Sequence, residues 1–324
     1  MTVSKRSGKG TSNLRMWLLL AVLVAIGVLY VGRLWWMTPH LPAFGAEQAF
    51  GHLKKQVSFG PRIPGTLAHE SCLSYLKSTL SQYADQVTTE PFTWKNRQDT
   101  TKVLTGTNLV ASFNAQASNR ILLLAHWDTR PFADQDPNPD RRKEPVPGAN
   151  DGASGVAVLL EMARILRENR PDVGVDILLT DMEDLGDYDA EAQPKTRNPF
   201  SIGAQKFVEM HPDYNPSFGI LLDMVGDADL QFPIERFSSA NASAIVDKVW
   251  TAAQKVGATA FVRTEGQAIT DDHLPFLRKG IPVIDVIDFT YPQWHTTADT
   301  PEHCRAKSLE QVGKTLVQVI YGES

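Results

Sequence analysis

The chain lacks the features that hold small or repetitive proteins together. Its 324 residues include only two cysteines, Cys72 and Cys304, and two cysteines so far apart do not establish a disulfide, although export would permit one. No internal repeat and no low-complexity segment occurs in the sequence. The net charge of −5 is too small to indicate a partner, and it argues against nucleic acid. The chain has enough apolar residues to form a full hydrophobic core without cross-links such as disulfides.

One long uncharged run stands out, near the N-terminus. Met16 to Gly32 are 17 uncharged residues, at the lower end of what spans a bilayer, and basic residues precede them. A cleaved signal peptide is one interpretation, but no A-x-A-like cleavage site follows the run. We therefore predict a cytoplasmic basic tail over 1–15, a transmembrane signal-anchor helix over 16–37, a tether over 38–44 and an exported domain over 45–324.

Beyond residue 45, short apolar runs alternate with segments of helical periodicity. The predicted strands are 87–94, 108–113, 121–126, 173–181, 217–223, 258–263 and 281–287. The predicted helices begin near Ala46 and Thr66 and continue with 154–169, 201–209, 242–256 and 308–321. Strands that alternate with helices favour a single α/β domain, built on a mainly parallel, twisted sheet with helices on both faces.

Acidic residues and histidines stand at the end of several apolar runs. One such acid is usually a cap or turn residue, but open α/β sheets build their sites at the carboxyl ends of strands. A series of them predicts a hydrolase-like metal centre. The residues concerned are His126, Asp128, Asp151, Asp181, Glu183, Asp184, Asp223, Asp271, Asp272, His273 and His295. The long polar loops 129–148 and 187–199 are predicted to border this site.

Three segments carry a family resemblance in their order and spacing: His126–Pro131, Gly148–Gly155 and Pro292–Asp299. On these segments the chain resembles the zinc aminopeptidase superfamily M28 and, within it, the glutaminyl cyclases of animals and their bacterial counterparts. The resemblance extends from about Gly60 to the C-terminus. It implies an M28-type α/β fold with a mixed central sheet and a metal at the carboxyl ends of the strands.

Two enzyme types share this frame, and they differ in the number of metal ions. In the aminopeptidases, two zinc ions are held by the residues that match His126, Asp151, Asp184, Asp223 and His295. In the cyclases, one zinc ion per chain is held by the residues that match Asp151, Asp184 and His295. Three protein ligands with one open position suit catalysis. Asp184 departs from the animal cyclases, which have a glutamate there, so the backbone must approach the metal more closely in this chain.

The resemblance also assigns catalytic and substrate-binding roles. Glu183 matches the catalytic glutamate of both enzyme types. Asp271 and Asp223 match two members of a hydrogen-bond network in the cyclases, where carboxylates so close together share a proton. Trp294 matches an aromatic wall for the glutamine side chain, and Tyr291 matches a second aromatic residue loosely.

These matches predict a glutaminyl-peptide cyclotransferase, which converts the N-terminal glutamine of peptides or proteins to pyroglutamate with release of ammonia. We expect one zinc ion, a monomeric chain, a membrane contact through the N-terminal helix and no nucleic acid. The alternative is a di-zinc aminopeptidase of M28 type, and a third possibility is a tethered binding protein on an inactive enzyme frame.

Simpler structural roles are also open for single residues. Asp151, Asp271 and Asp272 could each stand at a helix N-terminus. Glu183 could be a surface residue after a strand, and His295 could be a core histidine beside an aromatic ring.

Overall fold

The computed structural model describes residues 11–37, 41–95, 103–186 and 200–322, and the chain divides into two compact units at Leu41. The first unit contains helix α1, Thr11–Met37. Among the described residues, no helix is both long enough and apolar enough to cross a membrane. The helix predicted over 16–37 is therefore found, but its prediction as a transmembrane span is not supported.

The second unit contains a six-stranded mixed sheet. The strands are β1 Gln86–Lys95, β2 Val103–Phe113, β3 Arg120–His126, β4 Gly174–Thr180, β5 Phe218–Asp223 and β8 Val283–Ile287, in the spatial order β1-β2-β4-β3-β5-β8. The β1–β2 and β2–β4 pairs are antiparallel, and the other pairs are parallel. Strands β4, β5 and β8 are buried at every residue, as expected for parallel strands covered on both faces.

Helices cover both faces of this sheet. They are α2 Ala46–Val57, α3 Leu67–Ser81, α4 Ala153–Glu168, α5 Ile202–Met210, α6 Arg236–Asn241, α7 Ser243–Lys255, α8 His273–Arg278 and α9 Ala306–Tyr321. On one face, Phe207 of α5 and Phe276 of α8 pack with Leu124. On the other face, Gly155 of α4 approaches Ala125, whose side chain points the opposite way because strand residues alternate. The expectation of one α/β domain with a mixed sheet is confirmed.

One sequence-based expectation about the strands needs correction. The strand predicted at 258–263 is β7, Phe261–Glu265, and it pairs with β6, Phe232–Ile234, in a separate two-stranded sheet. Its residues are half-buried or exposed, whereas the parallel strands of the main sheet are buried, so it has little apolar surface to add to that sheet. Cys72 and Cys304 are both buried free thiols and form no disulfide with each other.

Candidate active site

A cavity of about 380 Å³ opens at the carboxyl ends of the parallel strands. All the residues to which the family resemblance gives a metal-binding, catalytic or substrate-binding role in a cyclase line it, except Tyr291: Asp151, Glu183, Asp184, Asp223, Asp271, Trp294 and His295. These residues are far apart in sequence, and the sheet brings them together because β3, β4, β5 and β8 end at the same edge. Loop 129–148 borders the cavity through Arg130 and Asp134, as predicted, whereas loop 187–199 lies outside the described residues.

The three predicted metal ligands lie close enough together to share one ion. Each of Asp151, Asp184 and His295 offers one ligand atom, and these atoms are all within 4.8 Å of one another. His295 Nε2 is 3.1 Å from Asp184 Oδ1 and 3.8 Å from Asp151 Oδ2. The shorter aspartate at position 184 therefore still reaches the histidine.

Two observations indicate that this group of three suits a bound cation. Asp184 Oδ2 is buried and has no hydrogen-bond partner among the described residues, which is costly for a carboxylate oxygen. Burial, and then the neighbouring charge of Asp184, raises the pKa of Asp151 to about 7. Two carboxylates and one imidazole are a donor set that suits Zn²⁺. Such an ion would give Asp184 Oδ2 a partner and would favour the ionised form of Asp151.

Two cationic side chains keep Asp184 ionised. Burial alone would raise its pKa, but His295 and then Arg130 outweigh burial and lower the pKa to about 2. Burial likewise disfavours charge on His295, yet Asp184 and Asp134 outweigh it and raise the His295 pKa to about 9. Arg130 Nη1 also donates to the backbone carbonyl of Asp184 at 3.3 Å. A charged carboxylate is the form that a metal binds.

His126 lies in a second group beside the first. Its Nε2 is 3.0 Å from Asp151 Oδ1 and 3.2 Å from Asp223 Oδ1, and its Nδ1 is 3.4 Å from Asp128 Oδ1. Burial lowers the pKa of His126, but these three carboxylates outweigh burial and raise the pKa well above the usual value. His126, Asp151 and Asp223 could also hold an ion, so the second metal position of the aminopeptidases has its matching residues in place.

A third group contains only acids. Carboxylate oxygens of Glu183, Asp271 and Asp272 lie within 4.8 Å of one another. Burial, and then the charges of Asp271 and Asp184, raises the pKa of Glu183 well above its usual value. Burial, and then Asp223 and Asp272, does the same to the pKa of Asp271. Close, buried carboxylates cannot all ionise at neutral pH, so this group holds at least one proton.

The simpler structural roles do not account for these residues. Helix α4 begins at Ala153 with Gly152 as its N-cap, so Asp151 is not the cap. Asp272 is the N-cap of α8, but its side chain makes no capping hydrogen bond and accepts one from Thr180 Oγ1 instead. Glu183 and His295 are both buried, yet both line the cavity.

Asp128 has a role that the sequence did not reveal. Its Oδ1 accepts from the backbone N–H of Glu183 and its Oδ2 from that of Asp184, each at 3.1 Å. One buried carboxylate therefore fixes the turn that carries both the catalytic candidate and a metal ligand. The sequence signal was the position of Asp128 two residues after the strand-end residue His126, but its partners lie in the turn that follows another strand, β4.

Asp299 acts in a similar way on the loop before α4. It accepts from the backbone N–H groups of Asn150 and Asp151 at 2.8 and 3.2 Å, and from the Tyr291 hydroxyl at 2.9 Å. The Tyr291 ring is buried and its hydroxyl supports Asp299, so Tyr291 does not line the cavity. The expectation that Tyr291 contacts substrate is not met by this position.

Phe289 takes the place in the cavity wall that was predicted for Tyr291. Its ring centroid is 4.9 Å from that of Trp294, and the Trp294 ring stacks on His295 at 4.0 Å with an interplanar angle of 24°. The two aromatic rings and Ile269 form the apolar side of the cavity, next to the metal candidates. The sequence could not separate Phe289 from Tyr291, because both precede Trp294 in the same irregular segment.

Comparison with known proteins shows which family this arrangement belongs to. The sequence profile of Peptidase family M28 matches residues 108–320. Glutaminyl-peptide cyclotransferase of Bos taurus is 26% identical over 239 residues, which are 64% of this chain and 64% of that protein. The chain therefore spans slightly less than two thirds of the length of this curated relative.

Solved structures cover more of the chain. A glutaminyl cyclase of Bacteroides thetaiotaomicron bound to N-acetylhistamine has a TM-score of 0.82 and 38% identity, over 88% of this chain and 100% of that chain. A Zn-dependent exopeptidase from Parabacteroides distasonis has a TM-score of 0.83 and 37% identity, over the same shares. The chain therefore belongs to peptidase family M28, and bacterial glutaminyl cyclases are among its relatives.

Proposed function

We propose that this chain is a glutaminyl-peptide cyclotransferase, which cyclises the N-terminal glutamine of peptides or proteins and releases ammonia. The observation that carries the proposal is the buried acid group of Glu183, Asp271 and Asp272 beside the metal candidates. Cyclisation needs a proton removed from one nitrogen and delivered to another. A carboxylate group that shares protons can do both within one turnover.

We propose one zinc ion, held by Asp151, Asp184 and His295. The support is the buried, unpaired Oδ2 of Asp184, since no oxygen or nitrogen of His126, Asp128 or Asp223 is left in that state among the described residues. His126 has carboxylate partners on both ring nitrogens. When bound, zinc would act as a Lewis acid toward the substrate's γ-carboxamide carbonyl.

The side chains of the acid group would then move the protons. The substrate's α-amine attacks the carbonyl carbon of the side-chain carboxamide, and Glu183 accepts the proton that the nitrogen loses as the new C–N bond forms. The bond to the amide nitrogen breaks, Glu183 returns the proton to that nitrogen, and ammonia leaves. Asp271 raises the proton affinity of Glu183 by its adjacent charge. Both reacting groups belong to one residue, so much of the entropic barrier is already absent.

The apolar wall supplies the fit for the glutamine side chain. Trp294, Phe289 and Ile269 line the cavity and pack in one apolar cluster, against which the two methylene groups of glutamine would lie. An extended side chain cannot cyclise, so a wall that folds it toward Glu183 contributes to catalysis directly.

A di-zinc aminopeptidase is the second candidate. The group His126, Asp151 and Asp223 favours it, because all the residues needed for a second ion are present and close together. In that enzyme Glu183 would take its proton from water, and Asp271 would have no required role.

One assay with two substrates separates the candidates. The full chain, reconstituted with zinc, is given a dipeptide amide with N-terminal glutamine and a chromogenic leucyl amide. Pyroglutamyl product and ammonia from the first, with no chromophore from the second, support the cyclotransferase. Chromophore release without ammonia would reject it in favour of the peptidase. Metal analysis of the purified chain tests the count, since one zinc per chain is expected.

Two further properties are proposals with separate tests. We propose that the second unit works on the exported side of a membrane, on the strength of the basic residues that precede the uncharged run at Met16–Gly32. Protease added to intact cells should then cleave it.

We also propose that the chain is a monomer. Light scattering after size-exclusion chromatography should then measure a mass near 35.8 kDa.

A further inference from the structure

Ser201 is an unusual residue at the start of helix α5. It is fully buried and has φ 57° and ψ 36°, a left-handed conformation that glycine adopts readily and other residues rarely do. Serine is common at helix N-caps because its hydroxyl accepts a hydrogen bond from the first turn. The Ser201 side chain makes no such capping bond. Neither backbone preference nor capping therefore explains a serine here.

The hydroxyl of Ser201 points to the catalytic candidate instead. Ser201 Oγ donates to Glu183 Oε1 at 3.1 Å, and Ser201 N–H donates to the Glu183 carbonyl at 3.0 Å. The next residue continues the contact, because Ile202 N–H donates to the Met182 carbonyl at 3.1 Å. Met182 is itself left-handed, at φ 58°. Both sides of this junction thus adopt uncommon backbone conformations, which persist where the surroundings require them.

We propose that Ser201 is a positioning residue for Glu183, and that its hydroxyl holds the Glu183 carboxylate in the orientation that proton transfer needs. This inference rests on the proposed function, in which Glu183 is the base. The Asp128 carboxylate accepts a hydrogen bond from the backbone N–H of Glu183. Ser201 donates to the backbone carbonyl of Glu183 and to its side chain. Without the hydroxyl, one carboxylate oxygen loses its donor and the side chain can rotate.

Two substitutions separate the hydroxyl from the backbone conformation. Ser201→Gly removes the hydroxyl and suits φ 57°, whereas Ser201→Ala removes the hydroxyl and keeps a Cβ in the left-handed conformation. Both should lower kcat roughly tenfold on the glutaminyl dipeptide amide, with KM changed less than about twofold and zinc content unchanged. Ser201→Gly should also melt at a higher temperature than Ser201→Ala. An equal loss of kcat in two variants of different stability is a result that a purely structural serine would not give.

A matched control is Ser308→Ala in α9. Its buried hydroxyl donates to the Asp227 carbonyl at 2.6 Å, outside the cavity, so this variant should lose stability and keep kcat. Native kcat in Ser201→Gly would overturn the proposal. So would a fall in activity that follows loss of zinc, because Ser201 would then act through Asp184.

A second measurement does not depend on the reaction. In a double-mutant cycle of melting temperatures, Ser201→Ala should destabilise the native chain more than it destabilises Glu183→Ala, because the acceptor is already missing there. Additive effects would show that the Oγ–Oε1 contact carries no energy and would end the proposal. If the native chain proves to be a peptidase, the proposed function fails while this cycle and the kcat comparison on the leucyl amide still decide the role of Ser201.

Discussion

Asp184 and Asp272, two buried acids at this edge of the sheet, differ in their cationic neighbours. Asp184 lies 3.1 Å from His295 Nε2 and 3.8 Å from Arg130 Nη1, and these cations outweigh burial and lower its pKa to about 2. Asp272 accepts a hydrogen bond from the Thr180 hydroxyl, its other carboxylate oxygen has no hydrogen-bond partner among the described residues, and burial raises its pKa to about 7. The pKa of Glu183, the residue before Asp184 in sequence, is raised, as is that of Asp272.

This difference in pKa suits the two carboxylates to different chemical roles within a single cavity. A carboxylate that stays ionised can serve as a metal ligand, and a carboxylate that keeps a proton near neutral pH can serve as an acid and a base. Both aspartates are buried, so the nearby charges decide which of them stays ionised. Two groups can then be tested for separate responses: the proposed metal ligands, and the acid group of Glu183, Asp271 and Asp272.

The largest effect is expected from Glu183→Gln. The amide keeps the size of the side chain but cannot accept the proton, so kcat should fall by about 10³-fold to 10⁴-fold. Zinc content should stay at the native value, because Glu183 is outside the proposed ligand set. Turnover close to native would remove Glu183 from its role, and loss of zinc would show that the two groups do not act separately.

A smaller loss is expected from Asp271→Asn. This substitution removes one carboxylate of the proton-sharing group, so kcat should fall by roughly 10²-fold on the glutaminyl substrate. The charge of Asp271 is, after burial, the main cause of the raised pKa of Glu183. Removing that charge lowers the Glu183 pKa, so the acidic limb of the kcat/KM profile should move to lower pH. An unmoved limb with full activity would favour the peptidase, in which Asp271 is not needed.

The sequence was enough to locate both groups but not to arrange them. Asp151, Glu183, Asp184 and Asp223 follow apolar runs, and the α/β pattern alone puts such positions at one edge of the sheet. The contacts of Asp128 required knowledge of which strands are neighbours: β3 and β4 are adjacent and parallel, so the residues after each can bond.

Irregular segments were harder to predict. Phe289 lines the cavity and Tyr291 is buried behind it, and no periodicity distinguishes two aromatic residues in a turn. Ser201 follows a long polar loop, and its left-handed conformation is unusual for serine, so nothing local indicates its contact with Glu183. Tertiary packing fixes these positions, and composition leaves them open.

Asp128→Asn tests the link between the two groups. Asparagine has one acceptor oxygen, so one of the two N–H groups that Asp128 now binds would lose its partner. Because those groups belong to Glu183 and Asp184, both kcat and zinc affinity should fall, each by about 10-fold to 100-fold. A loss confined to one of the two would show that Asp128 supports one group only. Asp213→Asn, an exposed aspartate, serves as the control and should change neither quantity.

The smallest effect concerns Asp285, a buried acid of β8 whose two carboxylate oxygens have no hydrogen-bond partner among the described residues. Burial, and then Asp271 and Glu235, raises its pKa well above the usual value. The folded pKa exceeds the unfolded one, so unfolding releases a proton above about pH 4 and stability falls as the pH rises from there. Asp285→Asn removes this cost. Its melting temperature should exceed the native one by on the order of 3 °C at pH 8, with little difference at pH 4. An equal gain at both pH values would attribute the effect to packing, and a loss at pH 8 would mean that the ionised carboxylate is held by a cation, as Asp184 is.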